Sequence, residues 1–264
     1  MRYEILGAKI TISEGGERRY LIQRKVRVVL AALLINRSSV VSKDQLIDEI
    51  WVGMDSPRTA VPGVHVAISH LRKMLSQGER RSSRLITSSP GYLLRLEPGD
   101  ELDVLDFKRL LVEGRNHARE GRHKKAIDTL RAALLLGEGT ALADLAAGPI
   151  VNGFVAWLGE ARLECHEIIV DSSLRMGRYR EVVSLLQQLI AENRHHEAFY
   201  RLLMLALVHS GRRVDALRTY QLAYDRLTSE MGLEPGSDLK RIQQAVLLGH
   251  GLPDLALPEP ARRA

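Results

Sequence analysis

The chain has 264 residues, 45% hydrophobic and 27% charged, with 38 Lys and Arg against 32 Asp and Glu; this length accommodates two domains with cores of their own, and this composition excludes a chain disordered throughout. The charge is uneven, since residues 1–99 carry 16 basic against 9 acidic side chains and residues 100–264 carry 22 against 23, so only the first part is expected to face a polyanion, either nucleic acid or anionic membrane. The single cysteine, Cys165, excludes an intrachain disulfide and sits in a helical-looking run as a core residue, while the longest apolar stretch, Val28 to Ile35, is too short to span a membrane; a soluble cytoplasmic protein is expected.

Residues Tyr3 to Ile12 alternate apolar and polar with Gly7 interrupting, turn at Gly15-Gly16 and resume over Arg19 to Ile22, which predicts a small opening sheet. From Arg24 to Ile35 the spacing becomes helical, with Val26, Val29, Leu30 and Leu33 on one stripe and Arg24, Lys25 and Arg27 in the first turn. Three positive charges at a helix N-terminus oppose the macrodipole at a cost of up to about 1 kcal/mol, which a nearby phosphate would offset. Ser42, with Gln45 three positions on, has the capping-box pattern and starts a second helix that ends near Trp51 and turns Leu46, Ile47 and Ile50 inward.

Residues 52–58 predict a turn, and Thr59 a cap for a third helix that tolerates Pro62 only in its first turn. Gly63 is a poor residue there, by about 1 kcal/mol relative to alanine. Val64, Ile68, Leu71 and Leu75 recur at helical spacing with Ala67 beside them, leaving Val66, Ser69, His70 and Lys73 on the opposite face and His65 and Arg72 on one flank. That polar face is suited to base edges and the flank to phosphate, although a solvated helix face is the plainer alternative. After a basic loop, Leu85 to Leu94 forms two β-like runs around the turn Ser88-Ser89-Pro90-Gly91. Three helices followed by a hairpin are the parts of a winged helix-turn-helix.

Residues 100–249 read as helical throughout and contain a repeat. Gly-Arg recurs at Gly121, Gly177 and Gly211, each time followed by a small or β-branched apolar residue (Ala126, Val182, Ala216) and then a larger one (Leu130, Leu186, Tyr220). The second and third copies lie 34 residues apart, the period of the tetratricopeptide helix pair. The wider gap between the first two predicts an insertion around residues 134–153. Pro235-Gly236 is expected to end one helix, with Ser237 or Asp238 capping the next, and the proline-rich tail at 250–264 is expected to be disordered.

No glycine loop of the Walker type and no GxSxG elbow occurs, and His195 and His196, adjacent and expected on a helix, diverge by about 100° and cannot share a metal as an i, i+4 pair could. No catalytic residue, metal site or cofactor is assigned, and the chain is not expected to be an enzyme.

The run from VVSKDQLIDEIW through VHVAISHLRKML to ITSSPGYLL resembles the winged-helix domain of response-regulator-type transcription factors, most of all the form found in the streptomycete antibiotic regulatory protein family. The likeness rests on Val41-Ser42 with Leu46 to Trp51, on Ser69 to Arg72 and on Pro90 to Tyr92, in that order and at these distances. The stretch Leu227 to Ile242 is similar to the segment that closes the bacterial transcriptional activation domain of the same family. Two positions depart from the family: His70 stands where arginine is common and Ala67 where a larger side chain is common. Histidine cannot reproduce the bidentate contact of arginine with guanine, so the preferred operator sequence is expected to differ.

The resemblance implies a mainly α chain with a small antiparallel β component: a winged-helix domain over 1–99, a tetratricopeptide-like activation domain over 100–249 and the tail. It implies a DNA-binding activator of antibiotic or other secondary-metabolite genes, working in the cytoplasm on the nucleoid. Two protomers would bind direct repeats in double-stranded DNA as a homodimer and contact RNA polymerase holoenzyme, with no membrane involved. Val66, Ser69, His70 and Lys73 would read bases, and Arg24, Lys25, Lys43, Arg58, His65 and Arg72 would contact phosphates. Trp51 would offer its indole N–H to a phosphate or serve the core. Ser88, Ser89 and Gly91 would form the wing at the minor groove. Because the winged helix begins at the first residues, control through a preceding phosphoacceptor domain is not expected. The competing reading is a protein-binding adaptor whose winged helix has lost DNA affinity.

Overall fold

The computed structural model describes residues 1–53, 57–76, 84–139, 141–145 and 147–249. Parts of the turn at 52–58, the basic loop that precedes Leu85 and the tail at 250–264 lie outside them. By internal contacts the chain divides into two compact units, one made of Met1–Val112 and Arg131–Leu163, the other of Glu113–Leu130 and the residues from Glu164 on. By these contacts the first unit takes in, besides residues 1–99, the start of the helical region and the stretch of the expected insertion at 134–153.

The first unit opens with β1 (Arg2–Glu4), β2 (Thr11–Glu14) and β3 (Glu17–Tyr20), an antiparallel meander turning at Gly15-Gly16, both with positive φ. A strand from beyond residue 99, β7 (Glu101–Leu102), completes this sheet by pairing parallel to β1, with Tyr3 opposite Leu102. Directly after it, Asp103 is buried and its Oδ2 accepts the backbone N–H groups of Ile5 (2.7 Å) and Leu6 (2.8 Å) where β1 ends. Burial pushes this carboxyl up to about 6, against the Leu6, Ile5 and Val104 N–H groups, which hold it down.

Helix α1 (Arg24–Ile35) follows with the expected limits, but it is buried on more than one stripe, since Val28, Ala31, Ala32 and Leu34 join the expected core residues. It is the centre on which α2 (Lys43–Ile50) and α3 (Ala60–Leu75) pack. The capping box at the start of α2 forms as expected: the Ser42 hydroxyl accepts from Gln45 N–H, and the Gln45 side chain accepts from Ser42 N–H. Thr59, by contrast, makes no side-chain cap for α3. Gly63 is explained by Trp51, whose ring lies so close that a Cβ there would be 2.8 Å from it.

The second sheet joins β4 (Val41–Ser42), β6 (Gly91–Leu94) and β5 (Leu85–Ser88) in the order β4-β6-β5. Gly91 sits opposite Ser42, and a Cβ on it would fall 1.8 Å from the Val41 carbonyl oxygen.

Beyond β7 come α4 (Asp103–Arg119), α5 (His123–Leu136), α6 (Pro149–Arg175), α7 (Val183–Glu192), α8 (Glu197–His209), α9 (Arg213–Met231) and α10 (Ser237–Leu248). Within the second unit the three Gly-Arg pairs have one geometry. Gly121, Gly177 and Gly211 all adopt φ between 72° and 79°, and the following arginine N–H returns to the carbonyl five residues back, His117, Ser173 and Leu207 respectively. This is the Schellman termination, in which glycine is favoured because the left-handed conformation is costly for a residue with Cβ. Ala126, Val182 and Ala216, five positions on, are all buried, as are Leu130, Leu186 and Tyr220. Cys165 is buried, as expected. Helix α9 ends at Gly232 rather than at Pro235-Gly236, and neither Ser237 nor Asp238 caps α10; Gly236 is its N-cap, with its N–H donated to Glu197 Oε2 at 2.7 Å. His195 and His196 lie in the turn before α8, not on a helix, and pair separately with Glu230 and Glu167.

Because the folded Asp103 carboxyl titrates above its ordinary value, its proton is bound by the native state more than by the unfolded one between the two values. Its contribution to stability therefore rises as pH falls from 7 to 5, by about 1 kcal/mol. Urea unfolding of the full chain and of Asp103→Asn at both pH values should show the wild type gaining about 1 kcal/mol more than the variant. Gly91→Ala should cost about 1–3 kcal/mol, because the added methyl meets backbone rather than a flexible side chain; a melting temperature equal to wild type would show that β6 shifts freely.

Candidate nucleic-acid interface

The periodicity of α3 separates its two sides as the sequence predicts. Val64, Ala67, Ile68, Leu71 and Leu75 are buried, while His65, Val66, Ser69, His70, Arg72 and Lys73 are exposed. Val66 is 56% exposed and, as an apolar side chain, is suited to contact with a thymine methyl. The last turn carries Arg72 and Lys73, which favours the helix through its dipole as well as supplying positive charge.

Arg72 ties this helix to the hairpin. Its Nη2 donates to Thr87 Oγ1 at 2.6 Å, and its guanidinium lies 6.0 Å from the Tyr92 ring centroid. Arg19 of β3 donates to the Met74 carbonyl at 3.3 Å, so the C-terminal end of α3 is held to the opening sheet as well. Ser88 and Ser89 lie at the turn of the β5–β6 hairpin, Ser89 exposed and Ser88 half-buried. Gly91 is buried against β4, so its part is to seat the hairpin rather than to touch a groove.

The expected phosphate contacts divide by environment. Lys25 is exposed and its Nζ stands 4.7 Å from the Trp51 ring centroid, which places Trp51 in a cation–π pair at the C-terminal end of α2. Arg58 and His65 are exposed, and Lys43 is half-buried at the start of α2. Arg24 is different: its Nη1 donates to the Ile50 carbonyl at 2.9 Å and its Nε to the Leu145 carbonyl at 3.0 Å. Its charge is placed at the carbonyl end of α2, where the helix dipole favours a cation, and its role is to hold α1, α2 and the segment at 145 together.

Three groups escaped the sequence reading. Gln23, the residue before α1, has Oε1 2.9 Å from His70 Nδ1. Thr87 receives Arg72. Glu49, on α2 between two core residues, has no solvent exposure and accepts the N–H groups of Ile150 and Val151 at the start of α6. Burial pushes its carboxyl up, opposed by the N–H groups of Ile150, Val151 and Gly148. The partners lie 47 residues apart for Gln23 and 101 for Glu49, beyond the reach of any periodicity. Among the described residues no cluster of three or more His, Cys, Asp and Glu could hold a metal ion, and no helix is long and apolar enough to cross a membrane.

Comparison with known proteins agrees with this architecture. Residues 17–94 match the family "Transcriptional regulatory protein, C terminal", and residues 102–247 match "Bacterial transcriptional activator domain". The regulatory protein DnrI of Streptomyces peucetius is 33% identical over 86% of this chain and 85% of its own length. The transcriptional regulator RedD of Streptomyces coelicolor is 33% identical over 84% of this chain, which spans 64% of RedD, and the regulatory protein AfsR of the same organism is 33% identical over 94% of this chain, which spans only 24% of AfsR. The solved structure of Mycobacterium tuberculosis EmbR in complex with a low-affinity phosphopeptide superimposes with a TM-score of 0.86 at 28% identity, covering 96% of this chain and 66% of EmbR. A winged helix with an exposed basic face, followed by the matched activator domain, places the chain in the streptomycete antibiotic regulatory protein family of transcriptional activators.

Proposed function

We propose that the chain activates antibiotic or other secondary-metabolite genes by binding promoter DNA through α3 and its hairpin and engaging RNA polymerase holoenzyme. The observation that carries this reading is the exposed face of Val66, Ser69, His70 and Lys73, fixed beside the hairpin by the Arg72–Thr87 bond. In a major groove that face meets base edges. Lys25, Lys43, Arg58, His65 and Arg72 then meet phosphates on either side, and Ser88 and Ser89 approach the neighbouring minor groove.

Two protomers bind direct repeats spaced by one helical turn of about 10 base pairs, as a homodimer on one side of the duplex. The repeated glycine turns support a tetratricopeptide-like stacking of helix pairs in the second unit, the kind of surface that serves protein contacts. This domain pairs protomers and meets polymerase. The work is done in the cytoplasm, on the nucleoid, by recruitment rather than catalysis.

Measurement of duplex affinity against salt tests the reading. The full chain should lose affinity steeply with salt and prefer operator over random duplex; Lys25→Ala and Arg58→Ala should each lower the log–log slope by about 1 with the preference retained. Ser69→Ala and Lys73→Ala should change which bases are preferred. A chain with neither salt dependence nor preference would instead be a protein-binding adaptor.

A further inference from the structure

We infer that Gln23 is a specificity-determining residue of the DNA site: it holds the His70 imidazole so that its Nε2 presents a bare lone pair to the groove, selecting a base with an exocyclic amino group, adenine or cytosine. The inference rests on the reading of α3 as the base-reading helix.

His70 is exposed on α3, in one patch with Val66, Ser69 and Lys73, so packing does not fix its ring. The contact that does is Gln23 Oε1, 2.9 Å from Nδ1. A carboxamide oxygen only accepts, so the neutral ring facing it carries its proton on Nδ1 and leaves Nε2 as an acceptor. The hydrogen bond favours this tautomer and restrains the ring before any base is met.

Gln23 is placed for this purpose and not for capping. It is the N-cap of α1, with extended backbone (φ −71°, ψ 120°), yet its side chain makes no bond to the open N–H groups of that helix. It reaches to α3 instead. Since α1 packs directly on α3, the distance between the two anchors is set by the core and not by loops.

The chemical consequence follows from the groove code. Adenine N6 and cytosine N4 are the major-groove donors, whereas guanine offers only acceptors there and thymine an acceptor and a methyl. A bare Nε2 therefore accepts from adenine or cytosine and faces an oxygen or ring nitrogen on guanine, the base that arginine would have chosen.

Selection from a randomised duplex library with the full chain tests the proposal, using wild type, His70→Ala, Gln23→Leu and the double variant, each first shown to melt as wild type does. Gln23→Leu keeps the bulk and removes the acceptor. One position should favour adenine or cytosine about fivefold or more in wild type. His70→Ala and Gln23→Leu should each reduce that preference to within twofold of none, the double variant should do no more than either, and preferences at the other positions should remain. A wild-type preference that His70→Ala removes and Gln23→Leu keeps would overturn the role of Gln23 alone. A preference for guanine at the His70-dependent position would overturn the tautomer. No sequence preference by wild type at any position would overturn the base-reading assignment of α3 along with this inference.

Discussion

A carboxylate with no solvent exposure, Glu49, ties the first unit together. Its two oxygens meet the N–H groups of Ile150 and Val151, so a side chain of the helix preceding α3 caps a helix that begins 100 residues later. The local sequence at that end suits the contact. Pro149 occupies the first helical position, where its missing N–H costs nothing. Gly148 passes so close to α2 that a Cβ would lie 2.6 Å from the Asp48 carbonyl oxygen. A buried charge is costly unless paired or hydrogen-bonded; the helix N-terminus supplies both N–H donors and a favourable dipole.

The remaining ties of this unit have the same character. Arg24 offers a cation to the carbonyls of Ile50 and Leu145, and Asp103 offers acceptors to the N–H groups of Ile5 and Leu6. Each is a charged side chain satisfying backbone groups at the end of an element. Together they make the winged helix continuous with residues 101–112 and 131–163, and the face of α3 is carried on a scaffold larger than the hundred residues that contain its motifs. Arg72, bonded to Thr87, and Arg19, bonded to the Met74 carbonyl, then fix α3 against its hairpin and its sheet.

Local signals were legible in the sequence and distant ones were not. The limits of α1, the capping box of Ser42 and Gln45, the buried stripe of α3 and the turn at Ser88 to Gly91 are written in spacings of a few residues, and the three Gly-Arg pairs proved to be three copies of one helix termination. Nothing in its local sequence marks Glu49 as a cap, because the Ile150 and Val151 N–H groups that it accepts lie 101 and 102 residues away. Residues 134–153 read as an insertion between repeats because their partners lie outside the repeats. Arg24 looked like a phosphate ligand because charge was visible and the carbonyls of Ile50 and Leu145 were not. Thr59 had the composition of a cap, but the helix it precedes begins without its hydroxyl.

The proposed DNA recognition depends most on the outer face of α3 entering a major groove. Placing a thiol at its centre, as Val66→Cys in a Cys165→Ser background, and offering an operator duplex with thiol-tethered bases tests this directly. Disulfide capture should concentrate on one or two adjacent bases tethered through their major-groove edges and disappear with excess untethered operator. Equal capture at every tethered position, or capture that untethered operator does not displace, would contradict it.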